Sequence, residues 1–132
     1  MKSVHAIIID SSLDDGDLLK DSLLRLGVIR TEYFASTELA RAAFLSHRQN
    51  YSSGILFIKD EPHHEAAAFI KSVMNNIDFS SLQIVLTTIK ENPTDLLWAF
   101  RIGVVAHLIY PIDHSKLTTI VATMKSRRFK MA

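Results

Sequence analysis

Five short runs rich in β-branched and aromatic residues alternate with longer segments in which apolar residues recur at helical spacing. The runs cover 4–9, 32–35, 55–58, 83–87 and 107–110. The first, third and fourth are nearly continuous in Ile, Val, Leu and Phe. That pattern predicts strands buried on both faces of a parallel sheet. The second run is more polar and reads as an edge strand. The first helix is predicted to begin near Ser11 or Ser12, with Asp14, Asp15 and Asp17 suited to its positive end. Leu19, Leu23 and Leu26 share a face, and Gly27 is a stop. Ser36 caps a second helix carrying Leu39, Ala43 and Phe44. A third covers about 64–75 with Phe69, Ile70 and Val73 inward. Asn92 before Pro93 signals a fourth, with Leu97 in the core, Trp98 able to join it and Gly103 at its end. The last carries Leu117, Ile120, Val121 and Met124.

The order βαβαβαβαβα predicts a three-layer, doubly wound α/β fold with the flavodoxin-like strand order 2-1-3-4-5, built as one domain over 1–132. Chemistry then belongs at the carboxyl ends of strands one, three and four. Composition narrows the function. Fifteen basic against 14 acidic side chains give a net charge of +1, so bulk charge offers nucleic acid nothing. The absence of cysteine excludes disulfides, thiolate metal sites and cysteine catalysis. The opening apolar run meets Asp10 too early for a signal peptide, and no stretch approaches the ~20 apolar residues of a membrane span. A soluble, cytoplasmic protein is expected. The basic end, Lys125-Ser126-Arg127-Arg128-Phe129-Lys130, reads as a solvated helix terminus before an anionic docking site.

Other constellations are thin. Asp60-Glu61-Pro62-His63-His64-Glu65 gathers oxygen and nitrogen ligands, but it reads as a polar loop, because adjacent His63 and His64 point apart and no distant third ligand stands out. No metal site is assigned. His5 and His107 read as strand residues. Gly16, Gly27, Gly54 and Gly103 are scattered, so there is no phosphate-cradling loop, and no serine lies in a nucleophile elbow.

Asp10 at the end of the first strand, Leu23-Leu24-Arg25-Leu26-Gly27 closing the first helix, Thr88 after the fourth strand, and Arg101-Ile102-Gly103-Val104-Val105-Ala106 leading to Tyr110-Pro111 have a familiar spacing. In these features the chain resembles the receiver domains of bacterial response regulators over nearly its whole length. The resemblance implies a phosphoryl-transfer site of five parts: an acidic pair holding Mg²⁺ after strand one, an acceptor Asp after strand three, a Thr or Ser after strand four, and a Lys before proline after strand five. A hard cation needs several carboxylate oxygens, and the transferred group's charge needs neutralising at close range.

This sequence departs from that set. The acidic pair is Asp10-Ser11, and Tyr110 replaces the lysine, while Thr88 and Pro111 remain. Holding Pro62 in the proline position puts Ile58 at the acceptor place; counting along the apolar run puts Lys59 there; a shortened loop would bring Asp60 in. Lys59 at that place could pair with Asp10 and lock the pocket. The expectation is a degenerate, stand-alone receiver with a vestigial pocket of Asp10, Ser11, Ile58, Lys59, Asp60, Thr88 and Tyr110. It is expected to have no catalytic role and no cofactor. By analogy with the family, the fourth helix, fifth strand and fifth helix would bind a signalling protein or a second copy through Leu96, Phe100 and His107, with Trp98 nearby. The alternatives are a working phosphoreceiver using Asp60 with Mg²⁺, or a flavodoxin-like small-ligand binder. Neither nucleic acid nor membrane is expected as a partner.

Overall fold

The computed structural model describes residues 5–60, 65–91 and 96–130, with side chains described as far as Lys125. The strands are β1 (His5–Ile9), β2 (Arg30–Phe34), β3 (Ser53–Lys59), β4 (Ser81–Ile89) and β5 (Ala106–Tyr110). The helices are α1 (Leu13–Arg25), α2 (Thr37–Ser46), α3 (Glu65–Met74), α4 (Leu97–Arg101) and α5 (His114–Lys130). All strands pair in parallel in the order β2-β1-β3-β4-β5. This is the doubly wound order that the alternation of elements predicts.

Every residue of β1 is buried, and so are six of the seven in β3, because helices cover both faces. Odd and even positions serve different layers. Ile7, Ile9, Leu56, Ile58, Ile84 and Leu86 pack under α2, α3 and α4, with Phe44, Phe69 and Ala99. Ala6, Ile8, Ile55, Phe57, Val85 and Leu108 pack under α1 and α5, with Leu19, Leu23, Leu117 and Val121. β2 lies at the edge and is mostly half-buried. Helix α1 starts at Ser12, whose side chain accepts from the Asp15 N–H. It ends where Gly27 takes a positive φ of 86° while the Val28 N–H returns to the Leu23 carbonyl.

Three details correct the sequence reading. Leu39 faces outward, and Ala40 with Phe44, four apart, form the inward stripe of α2. Leu97 is 53% exposed, not core. Leu96, expected on the exposed face, instead packs against the core with Trp98, Ala99 and Ile102. The spacing of three that joins 96, 99 and 102 turns 97 and 100 to the opposite side. The Asn92-Pro93 start signal lies outside the described residues, as do Glu61, Pro62, His63 and His64 of the polar loop after β3. No described helix is long and apolar enough to cross a membrane.

Candidate functional site

The carboxyl ends of β1 and β3 are fixed by register. Ile9 pairs with Ile58, so the next residues along, Asp10 and Lys59, stand side by side. Lys59 continues the Ile55 and Phe57 face, beneath α1. The turn carrying Asp10 is closely held. Its N–H bonds the Phe34 carbonyl at 3.1 Å, Tyr33 donates to its carbonyl oxygen at 2.5 Å, and its Oδ1 accepts the Ser12 N–H at 2.8 Å. Gly16 makes room for Tyr33: a Cβ there would sit 2.6 Å from the ring.

Into this turn Lys59 inserts its ammonium. Nζ lies 3.1 Å from Asp10 Oδ1 and 2.7 Å from Asp15 Oδ2, with side-chain exposures of 5%, 1% and 28% for Lys59, Asp10 and Asp15. The Tyr110 ring centroid is 5.3 Å from the same nitrogen, within cation–π range. A buried ammonium is tolerable because carboxylates and an aromatic face replace its water. Burial pushes the Asp10 carboxyl above the usual carboxylate range, against the lowering effect of the Ser12 and Lys59 hydrogen bonds. Burial pulls Lys59 down, yet its contacts with Asp15 and Asp10 together outweigh that and hold it above the ordinary lysine value. Tyr110 is pushed well up, by burial first and then by the negative charge of Asp10 and Asp15.

A second polar pair stands on the other side of β4 and β5. Thr88 Oγ1 and His107 Nε2 are 2.7 Å apart. Burial lowers the His107 pKa, and Lys116 lowers it further, while the charge of Asp60 acts in the opposite sense. Thr88 is therefore engaged with His107 in this arrangement. Asp60 is half-buried, and its N–H continues the ladder to the Thr87 carbonyl at 2.8 Å.

The structure thus gathers Asp10, Lys59 and Tyr110 and keeps Thr88 with His107. Ser11 is exposed and lines a small crevice beside Lys59. Ile58 is corrected: it is fully buried in the layer under α2 and α3, because it alternates with Lys59 and points to the opposite face. Asp15 is the residue that sequence reasoning missed. It was read only as a helix-dipole charge, yet it supplies the shortest contact to Lys59. Its signal was positional, since a helix capped at Ser12 directly after a strand end hangs its first turn over the sheet's carboxyl edge.

The donor set does not fit a magnesium ion. Asp10 is the one carboxylate of the expected pair, its Oδ1 already takes two N–H donors, and an ammonium sits where a hard cation's charge would compete. Among the described residues no three His, Asp or Glu side chains group to hold a metal.

No protein-family model and no curated protein matches the sequence. Solved structures do match in fold. A response regulator receiver domain protein from Clostridium thermocellum superposes with a TM-score of 0.80 at 12% identity, over 98% of this chain and 99% of that one. The chemotaxis protein CheY4 of Vibrio cholerae gives 0.76 at 16%, over 93% and 99%. A response regulator from Thermotoga maritima gives 0.76 at 14%, over 95% and 99%. At such identities the likeness is one of fold: this chain has the receiver fold over nearly its whole length.

Proposed function

We propose that this receiver-fold domain serves signal transduction of the two-component type as a non-enzymatic protein-interaction module, independent of phosphoryl transfer. One observation carries the reading: the Lys59 ammonium lies between Asp10 and Asp15 at 3.1 and 2.7 Å. Phosphoryl transfer needs a free acceptor carboxylate and a counter-cation for the incoming charge. Here a covalently attached cation already occupies the acidic turn, and Tyr110 supplies no charge where the related site uses lysine.

The surface that would carry the interaction is the side of α4 and β5. Leu97, Phe100, Val105 and Ile109 are 53, 48, 38 and 39% exposed, and half-buried His107 belongs to the same strand face as Ile109. Apolar side chains grouped on one face favour a protein partner, either a signalling protein or a second copy of this chain. The reading carries a cytoplasmic location and needs no cofactor.

Incubation with a small phosphodonor and Mg²⁺, followed by intact-mass measurement, tests the proposal. The mass is expected to stay unchanged. A stoichiometric phosphate-sized gain, lost in Asp60→Asn, would overturn it in favour of a working phosphoreceiver.

A further inference from the structure

A second surface lies away from the α4 and β5 side. Between α1 and the chain leaving β4 and β5 runs a groove of about 450 Å³, within the size range of ligand-binding pockets. Leu18, Ile89 and Ile112 give it apolar walls, Asp15 and Glu91 give it carboxylates, and Tyr110 joins its lining. Among the described residues that line it there is no lysine, arginine or histidine.

Two overlapping features weigh the groove's surroundings toward negative charge. Next to it a single ammonium, Lys59, faces two carboxylates, Asp10 and Asp15. Helix α1 itself holds Asp14, Asp15, Asp17 and Asp21 against Lys20 and Arg25. Tyr110 is only 5% exposed, and its hydroxyl has no hydrogen-bond partner among the described residues. That oxygen is shut off from solvent, so a group entering the groove would meet the carboxylates and not this hydroxyl. The apolar component is equally specific in place: Leu18 stands 58% exposed on the α1 wall that also carries Asp15.

From these we infer that the groove between α1 and the ends of β4 and β5 docks a basic side chain of a partner protein, an arginine or lysine flanked by apolar residues. The apolar stem would lie on Leu18, Ile89 and Ile112, and the charged head would meet Glu91 and the outer edge of Asp15. Arginine suits the site better than lysine, because its planar head can share several N–H donors among separated acceptors. The partner class follows from the combination. Carboxylates alone attract any cation, whereas an exposed leucine at the same wall is covered only when the cation arrives on an apolar segment. This inference does not depend on the α4 and β5 surface.

The test is a ¹⁵N–¹H NMR titration of the whole protein with a capped peptide carrying one arginine between leucines. Its comparisons are the same peptide with glutamate for arginine, and arginine amide alone. The arginine peptide is expected to saturate, moving the amides of Leu18, Ile89, Glu91 and Ile112 while leaving those of Leu97 and Phe100 in place. Glu91→Gln, an exposed and structurally mild change, should weaken it about three- to fivefold, the scale of one exposed charge contact. Arginine amide should bind about tenfold or more weakly, since it lacks the apolar contacts. The inference is overturned if the two peptides bind alike, if Glu91→Gln leaves affinity unchanged, or if the shifts fall elsewhere. It is equally overturned if no binding occurs, or if arginine amide matches the peptide, which would mark a site for free small cations.

Discussion

Replacing Lys59 with methionine removes one ammonium and keeps the apolar stem, which makes it the sharpest probe of the locked pocket. Asp10 would then retain the Ser12 N–H at 2.8 Å and lose the partner at 3.1 Å, while staying all but inaccessible to water. Two routes are open to it. Remaining ionised without its partner costs about 3–5 kcal/mol. Taking up a proton at pH 7, from an ordinary pKa of 3.8, costs about 4 kcal/mol at about 1.4 per pH unit. The routes agree, so Lys59→Met should lose roughly 3–4 kcal/mol at neutral pH. Asp15, 28% exposed, is served by water and adds little. The pH dependence has a fixed sign. A buried carboxyl without its cation has a folded pKa raised above the unfolded one, so its protonated form favours the fold. That contribution is fully present below the unfolded pKa and is lost as pH rises through the folded value. The deficit should therefore shrink by about 1.4 kcal/mol per pH unit on acidification, reaching about 1 kcal/mol or less near pH 4.5. Urea denaturation of parent and variant across that range measures it, and Asp10→Asn with Lys59→Met should recover most of the loss, because an exchanged buried pair is close to neutral. A neutral-pH loss below about 1 kcal/mol, or one that does not change with pH, would refute the reasoning.

His107 is expected to titrate below the ordinary 6.5, since burial disfavours its charged form. Stability tied to this group is present above the unfolded pKa and lost as pH falls through the lower folded value; an imidazole NMR titration at or above 6.5 would contradict burial as the dominant influence on the ring. For the proposed interaction surface, sedimentation velocity should show a concentration-dependent dimer for the parent and a monomer for Phe100→Asp, which puts charge on a side chain 48% exposed. A parent that stays monomeric at high concentration would remove self-association from the proposal.

The fold was legible because the sheet imposes a pattern that one strand cannot hide. Strands covered on both faces are apolar nearly throughout, as β1 is from Ala6 to Ile9, and the punctuation by Ser12, Ser36 and Gly27 marks helix ends through local hydrogen bonding. Those constraints act within a few residues, so the chain displays them directly. The short helix α4 was harder. Five residues with Leu, Trp and Phe among them allow more than one inward stripe, and packing against Ala99 and Val104 selected 96, 99 and 102 over 97 and 100.

Local residue order also told that the receiver's charge pattern was altered, since Ser11 and Tyr110 stand in places where the related set needs a carboxylate and an amine. It left Ile58, Lys59 and Asp60 as equal claimants for one place, because spacing from Pro62 and spacing along the strand disagree by a residue. Strand register resolved that choice between Ile58 and Lys59: pairing Ile9 with Ile58 brings Lys59 beside Asp10 and turns Ile58 to the opposite face. Asp15 entered the site only through the way α1 crosses the sheet edge, a placement that depends on Leu19 and Leu23 packing against β1 and β3. What the sequence determined was periodicity and local hydrogen-bonding capacity. What tertiary structure decided was which charges meet, because that depends on register and helix placement, which are set by the packing of residues far apart in the chain.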